Sequence, residues 1–120
     1  MATVLVAIRD LMFSSRVHET AKSAGITSAS VRRGEDALAR AREEKPLVFV
    51  ADLGDPSVGA TDVVRAMKAD AELKAIHAVG FASHVLDDVL AAARAAGFDE
   101  VLSKGAFTQR LPQLLAGMKA

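Results

Sequence analysis

Cysteine is absent from this 120-residue chain. Disulfides and thiolate metal centres are therefore excluded, and a cytoplasmic setting is the default expectation. Tryptophan and tyrosine are absent too, so the stacking platforms that hold single-stranded nucleic acid are not expected. Charge of one sign is also missing: 15 Lys and Arg balance 15 Asp and Glu, for a formal net charge of zero. Binding to a phosphate backbone is driven by clustered positive charge, so nucleic acid is not expected as the main partner. No apolar run approaches the length that crosses a bilayer, and the N-terminal residues lack a signal-peptide layout, so no membrane role is expected. What is present is an ordinary globular composition, 51% hydrophobic and 25% charged. Its length suits one domain over residues 1–120.

Short β-rich runs alternate with helical stretches. Thr3 to Ile8 and Leu47 to Ala51 are almost continuously apolar, as strands buried on both faces are. Ile26 to Val31 alternates weakly and carries serines and a threonine, which places it at a sheet edge. The fourth strand is expected over Ile76 to Phe81 and the fifth over Glu100 to Leu102, with Phe98 as an alternative start. Helical periodicity marks Leu11 to Ala24, Gly34 to Glu44, Ala60 to Ala69, Val85 to Ala96 and Thr108 to Met118. Gly25, Pro46 and Gly97 punctuate three of these, and Pro112 falls in the expected first turn of the last. Five strand–helix units predict a parallel sheet with helices on both faces. The compact form of that α/β arrangement is the flavodoxin-like (βα)5 three-layer sandwich, with strand order 2-1-3-4-5.

Sites in such sheets form beyond the carboxyl ends of the strands, where the strand order reverses. That rule gathers Arg9 and Asp10, Asp52, the run Ala82-Ser83-His84, and Ser103 with Lys104. Two carboxylates and an ammonium in one crevice suit a divalent cation or an acyl phosphate. His84 reads as a solvated loop residue, His18 as part of a solvated helix face and His77 as structural. No histidine pair has ligand spacing with an acid, so a transition-metal site is not expected. Leu11 and Met12 are expected to pack against the last helix, with a partner surface or a lid over the crevice as the alternatives.

The segment Lys45-Pro46-Leu47-Val48-Phe49-Val50-Ala51-Asp52-Leu53, with Pro56 and Gly59 after it, resembles the acceptor strand and loop of two-component response-regulator receiver domains, the CheY-like family. Leu102-Ser103-Lys104-Gly105 resembles that family's lysine motif, and 52 positions separate Asp52 from Lys104, as the family pattern requires. The resemblance covers essentially the whole chain. It implies Asp52 as phosphoacceptor, Asp10 and Lys104 as acceptor-site residues, and Mg²⁺ held by Asp10 and Asp52. The chain departs from the family at Arg9, which stands where an acid is usual. It departs again at Ala82, where the family has a switch hydroxyl, with Ser83 one residue too late, and at Val101, where it has an aromatic. Gly105 replaces the usual proline, which puts a cis peptide there in doubt.

Three function classes follow. The leading one is a stand-alone, degenerate receiver (a pseudo-receiver) acting in signal transduction through protein–protein contact, independently of phosphorylation. Its partner is a histidine kinase or another signalling protein, expected on the face of the last strand and last two helices. The alternative within this class is a receiver phosphorylated on Asp52 by a histidine kinase. In the degenerate form Arg9 is expected to pair with Asp52 and lock it. The second class is a small-ligand-binding flavodoxin-like domain. The residues after the first strand form no glycine-rich phosphate loop and would crowd a nucleotide there. No activated nucleophile pair is visible, so an enzyme is not expected. The third class is a homodimer through the helix from Val85 and the last helix.

Overall fold

The computed structural model describes residues 3–55, 58–82 and 87–117. Its elements, in order, are β1 (Val4–Ala7), α1 (Leu11–Ser23), β2 (Ser28–Ser30), α2 (Gly34–Glu44), β3 (Val48–Asp52), α3 (Ala60–Ala69), β4 (His77–Ala82), α4 (Asp87–Ala96), β5 (Glu100–Ser103) and α5 (Lys104–Ala116). The five strands form one parallel sheet in the order β2-β1-β3-β4-β5, as the alternation of apolar runs and helical periods predicts.

Two apolar layers sandwich the sheet. Leu5, Ala7, Phe49 and Ala51 face α2 and α3, where Ala37, Ala41, Val63, Val64 and Met67 complete the layer. Val4, Val6, Val48, Val50, Val79 and Phe81 face α1 and α5, which supply Phe13, Val17, Ala21, Phe107, Leu111, Leu114 and Leu115. Successive strand residues thus enter opposite layers, which is why β1 and β3 read as unbroken apolar runs. Phe81 stacks on Phe107 with centroids 4.6 Å apart, and Phe13 tilts against Phe81 at 4.9 Å. This cluster forms a rigid floor beneath the carboxyl ends of β1, β3 and β4. Removing one such buried ring costs about 3–5 kcal/mol.

Several boundaries differ from expectation. β2 keeps only three residues at the sheet edge; beside them Ile26 enters one apolar layer and Val31 the other, as strand alternation dictates. Leu47 lies outside β3 and is 51% exposed. β5 extends to Ser103 and α5 begins at Lys104 rather than Thr108. Ser103 is the cause, since its Oγ accepts the N–H of Ala106 at 3.1 Å and caps the helix. Pro112 therefore lies inside α5 and not in its first turn. The carbonyl four residues before it has no N–H to accept from there. No peptide among the described residues is cis. The Lys104–Gly105 step instead opens a helix. α4 is described from Asp87. The expected helix start at Val85, the C-terminal Met118, the loop proline Pro56 and the residues Ser83 and His84 lie outside the described residues.

Candidate functional site

The parallel register carries Ala7 beside Ala51, Asp52 beside Phe81 and Ala82 beside Ser103. The chain leaving β1 and β3 therefore brings Arg9, Asp10 and Asp52 to one end of the sheet, and β4 and β5 add Ala82 and Lys104 beside them. Asp10 is the N-cap of α1: its Oδ1 accepts the N–H of Phe13 at 3.1 Å. That satisfies one of the four N–H groups a helix start leaves unpaired. This oxygen, on a residue that the receiver resemblance gives as a metal ligand, is thus engaged as a helix cap.

Asp52 closes β3 and is partly buried. Its Oδ1 accepts the N–H of Gly54 at 2.8 Å, which turns the chain immediately after the strand. Burial pushes its carboxyl pKa up, and the like charges of Asp55 and Asp10 push the same way. The Gly54 N–H and the Lys104 ammonium pull it down but do not win. Burial is the largest of these influences.

The expected Arg9–Asp52 lock is not formed. Arg9 reaches Asp55 instead, with Nη1 3.9 Å from Oδ2 in a loose, solvent-facing pair. Asp55, which the sequence pattern does not single out, is therefore a site residue; its position three after Asp52 is the available signal. Lys104 stands with Nζ 4.6 Å from the Phe13 ring centroid and, among the described residues, makes no ion pair within 4.0 Å. Arg16 approaches the same ring, with Cζ 5.9 Å from its centroid. Both cations thus lie over one aromatic ring, a contact worth about 0.5–1 kcal/mol per cation at exposed sites. Asp10, Met12, Phe13, Arg16, Lys104, Gly105 and Thr108 line an opening of about 450 Å³ there.

Ala82 is 1% exposed and offers only a methyl group. Val101 is partly buried against the apolar layer that contains Ala51, Ala78 and Phe98, and it has no aromatic ring to swing. Leu11 and Met12 are not packed as expected. They are 69% and 86% exposed at the mouth of the crevice, because the α1 stripe that faces the sheet starts at Phe13. His18 also departs from expectation. Its Nδ1 and Nε2 each lie 2.6 Å from a serine hydroxyl, of Ser28 and Ser30, so it clamps α1 to β2. Burial lowers its pKa. His77 is structural as expected, with Nε2 2.6 Å from Glu100, which Arg110 also holds.

Asp10 and Asp52 supply two carboxylates to one crevice. Mg²⁺ keeps several waters and takes one or two carboxylates, so this donor set fits a hydrated divalent ion. Among the described residues no three His, Cys, Asp or Glu side chains gather into a closed cage.

No family model and no curated protein matches the chain in sequence. Solved structures do match it in shape. The chemotaxis response regulator CheY4 of Vibrio cholerae superposes with a TM-score of 0.82 at 21% identity, covering 99% of each chain. The phosphorylated cyanobacterial phytochrome response regulator RcpA gives 0.79 at 20% identity, over 98% of this chain and 90% of that one. The Mn²⁺-bound form of response regulator Rcp1 gives 0.76 at 21% identity, over 98% and 91%. The strand order, the five helices and these whole-length superpositions agree: the chain has the fold of response-regulator receiver domains.

Proposed function

We propose that this chain is a receiver-type signalling module, not an enzyme, that works by contact with another protein and is not switched by phosphorylation. The observation that carries this reading is Ala82. It ends β4 beside the crevice, is buried, and has no hydroxyl with which to bond a phosphoryl oxygen on Asp52. Val101, which has no aromatic ring to rotate, agrees with it. A phosphoryl group on Asp52 would thus have neither of the groups that the receiver resemblance assigns to reporting it.

The contact face is the α1–α5 edge. Leu11 and Met12 project there into solvent beside Arg16 and Lys104, neither of which has an acidic partner within 4.0 Å among the described residues. Apolar anchors flanked by unpaired cations suit a partner helix or loop with an apolar side chain and acidic neighbours. A histidine kinase or another signalling protein meets that description. Asp10 and Asp52 hold Mg²⁺ weakly, since one oxygen of each already accepts a backbone N–H. The Mn²⁺-bound Rcp1 supports a divalent ion on this fold.

A second reading, Asp52 as phosphoryl acceptor, is favoured by one observation: Arg9 lies on Asp55 and leaves the Asp52 carboxylate without a guanidinium partner. Intact-mass measurement after incubation with acetyl phosphate and Mg²⁺ separates the two. The first reading expects no stoichiometric adduct. A full phosphoryl mass increase that Asp52→Asn abolishes overturns it in favour of the second.

A further inference from the structure

An open groove of about 710 Å³ lies on the other side of β1, between the starts of α2 and α3. It is built by close backbone approach. A methyl group on Gly34 would sit 2.2 Å from the Val58 carbonyl oxygen and 2.8 Å from Val63 Cγ2. Only glycine lets the start of α2 lie against the turn at Val58 and Gly59. Val58 and Val63 are buried behind its wall, and the partly buried Leu38 gives it apolar surface. Arg9, after the end of β1, and Arg32 and Arg33, after the end of β2, line it too.

These cations are under-used. Arg32 makes no ion pair or hydrogen bond among the described residues. Arg33 holds only the exposed Glu35, at 3.2 Å, and Arg9 holds Asp55 at the outer limit of 3.9 Å. In a chain of zero net charge, three arginines against the two acids Glu35 and Asp62 leave this groove with a local positive excess. Guanidinium groups match phosphate geometry with paired N–H donors. Glu35 and Asp62 also line the groove. They can accept hydrogen bonds from hydroxyl or amino groups, and they repel a long polyanion. The volume lies in the range of small-molecule sites, about 300–1,000 Å³.

We infer that this groove binds a nucleoside phosphate: the phosphates lie on Arg9, Arg32 and Arg33, and the nucleoside lies on Leu38. The site is separate from the Asp52 crevice and stands whether or not the contact reading above holds. It also differs from the loop after β1, where Leu11 to Phe13 leave no phosphate cradle. Arg9 belongs to both neighbourhoods, so a bound phosphate draws its guanidinium away from Asp55.

The test uses the intact chain with ADP, pyrophosphate and adenosine as probes, followed by calorimetry and by amide chemical shifts. ADP is expected to bind and to shift Gly34, Gly59 and Val63. Adenosine is expected to bind at least about tenfold more weakly. The Arg32→Ala/Arg33→Ala double variant should lose about tenfold or more in ADP affinity, with its circular dichroism unchanged. Arg40→Ala, on α2 outside the groove, should keep wild-type affinity. The inference is overturned by ADP binding that survives the double variant, by the absence of shifts at Gly34 and Gly59, or by pyrophosphate or an oligonucleotide binding as tightly as ADP.

Discussion

Replacing Gly34 with alanine tests how the starts of α2 and α3 are held together. The added Cβ would meet the Val58 carbonyl oxygen at 2.2 Å, whereas a carbon and a carbonyl oxygen normally stand about 3.3 Å apart or more. The oxygen belongs to the backbone, so the chain itself must retreat by roughly 1 Å. Val63 Cγ2, at 2.8 Å, must move as well. Overpacking of this kind costs about 1–3 kcal/mol, and the better helix propensity of alanine returns at most about 1. The net loss is then about 1–2 kcal/mol, a fall in Tm of roughly 4–8 °C for a domain of this size. Gly105→Ala is the matched control. Gly105 also lies in a first helical turn, but nothing stands within 4 Å of its would-be Cβ. That variant should gain about 0.4–1 kcal/mol by restricting the unfolded chain. Calorimetric melts or urea titrations of both variants beside the parent read the pair directly. If Gly34→Ala is neutral, or stabilises as Gly105→Ala does, the close approach that shapes the groove is not there.

Three further outcomes are expected. Asp52 has a raised native pKa, so the stability it adds below the ordinary carboxylate pKa of 3.8 is lost as pH rises through the native value. Asp52→Asn should therefore be more stable than the parent at neutral pH, with the margin closing in acid; urea titrations across pH measure it, and an equal or less stable variant at pH 7 contradicts the assignment. His18 has a lowered native pKa, so the unfolded chain takes up a proton first and stability falls as pH drops through the ordinary imidazole value of 6.5. His18→Gln should flatten that part of the pH profile, and a superimposable profile would show that the ring is not what titrates. Lys68 Nζ donates to the carbonyl oxygens of Lys74 and Ile76, at 3.1 and 2.9 Å, and to Asp99 at 3.0 Å. Lys68→Met should cost about 1–3 kcal/mol in a chemical melt, because it strips charged hydrogen bonds from the loop before β4.

The layering of this domain was legible because periodicity reports burial. Val4 to Ala7 and Val48 to Ala51 are apolar at every position because each strand feeds two layers, and Ser28 and Ser30 mark an edge because β2 has one neighbour. Helix starts were less legible. Lys104-Gly105 has the look of a turn, and only the Ser103 hydroxyl reaching Ala106 makes it a first helical turn. Which residues gather at the crevice followed from topology: Asp10, Asp52 and Lys104 all come from strand ends on the same side. Which of them pair did not follow. Arg9 could reach Asp52 or Asp55 from its sequence position, and the turn made by Gly54 on Asp52 Oδ1 decides for Asp55. The exposure of Leu11 and Met12 likewise depends on the phase of α1, which Phe13 and Val17 set by entering the aromatic layer.

The central claim is that the crevice is not a phosphorylation switch: Asp52 takes up no stoichiometric phosphoryl group. Amide spectra recorded with Mg²⁺ and beryllofluoride test it most directly, because this phosphoryl mimic would bind at Asp52. The account predicts spectra that match those with Mg²⁺ alone, and the same spectra from Asp52→Asn. Stoichiometric shifts running from Asp52 and Lys104 through Ala82 and Val101 into α4 and α5, present in the parent and lost in Asp52→Asn, would contradict it.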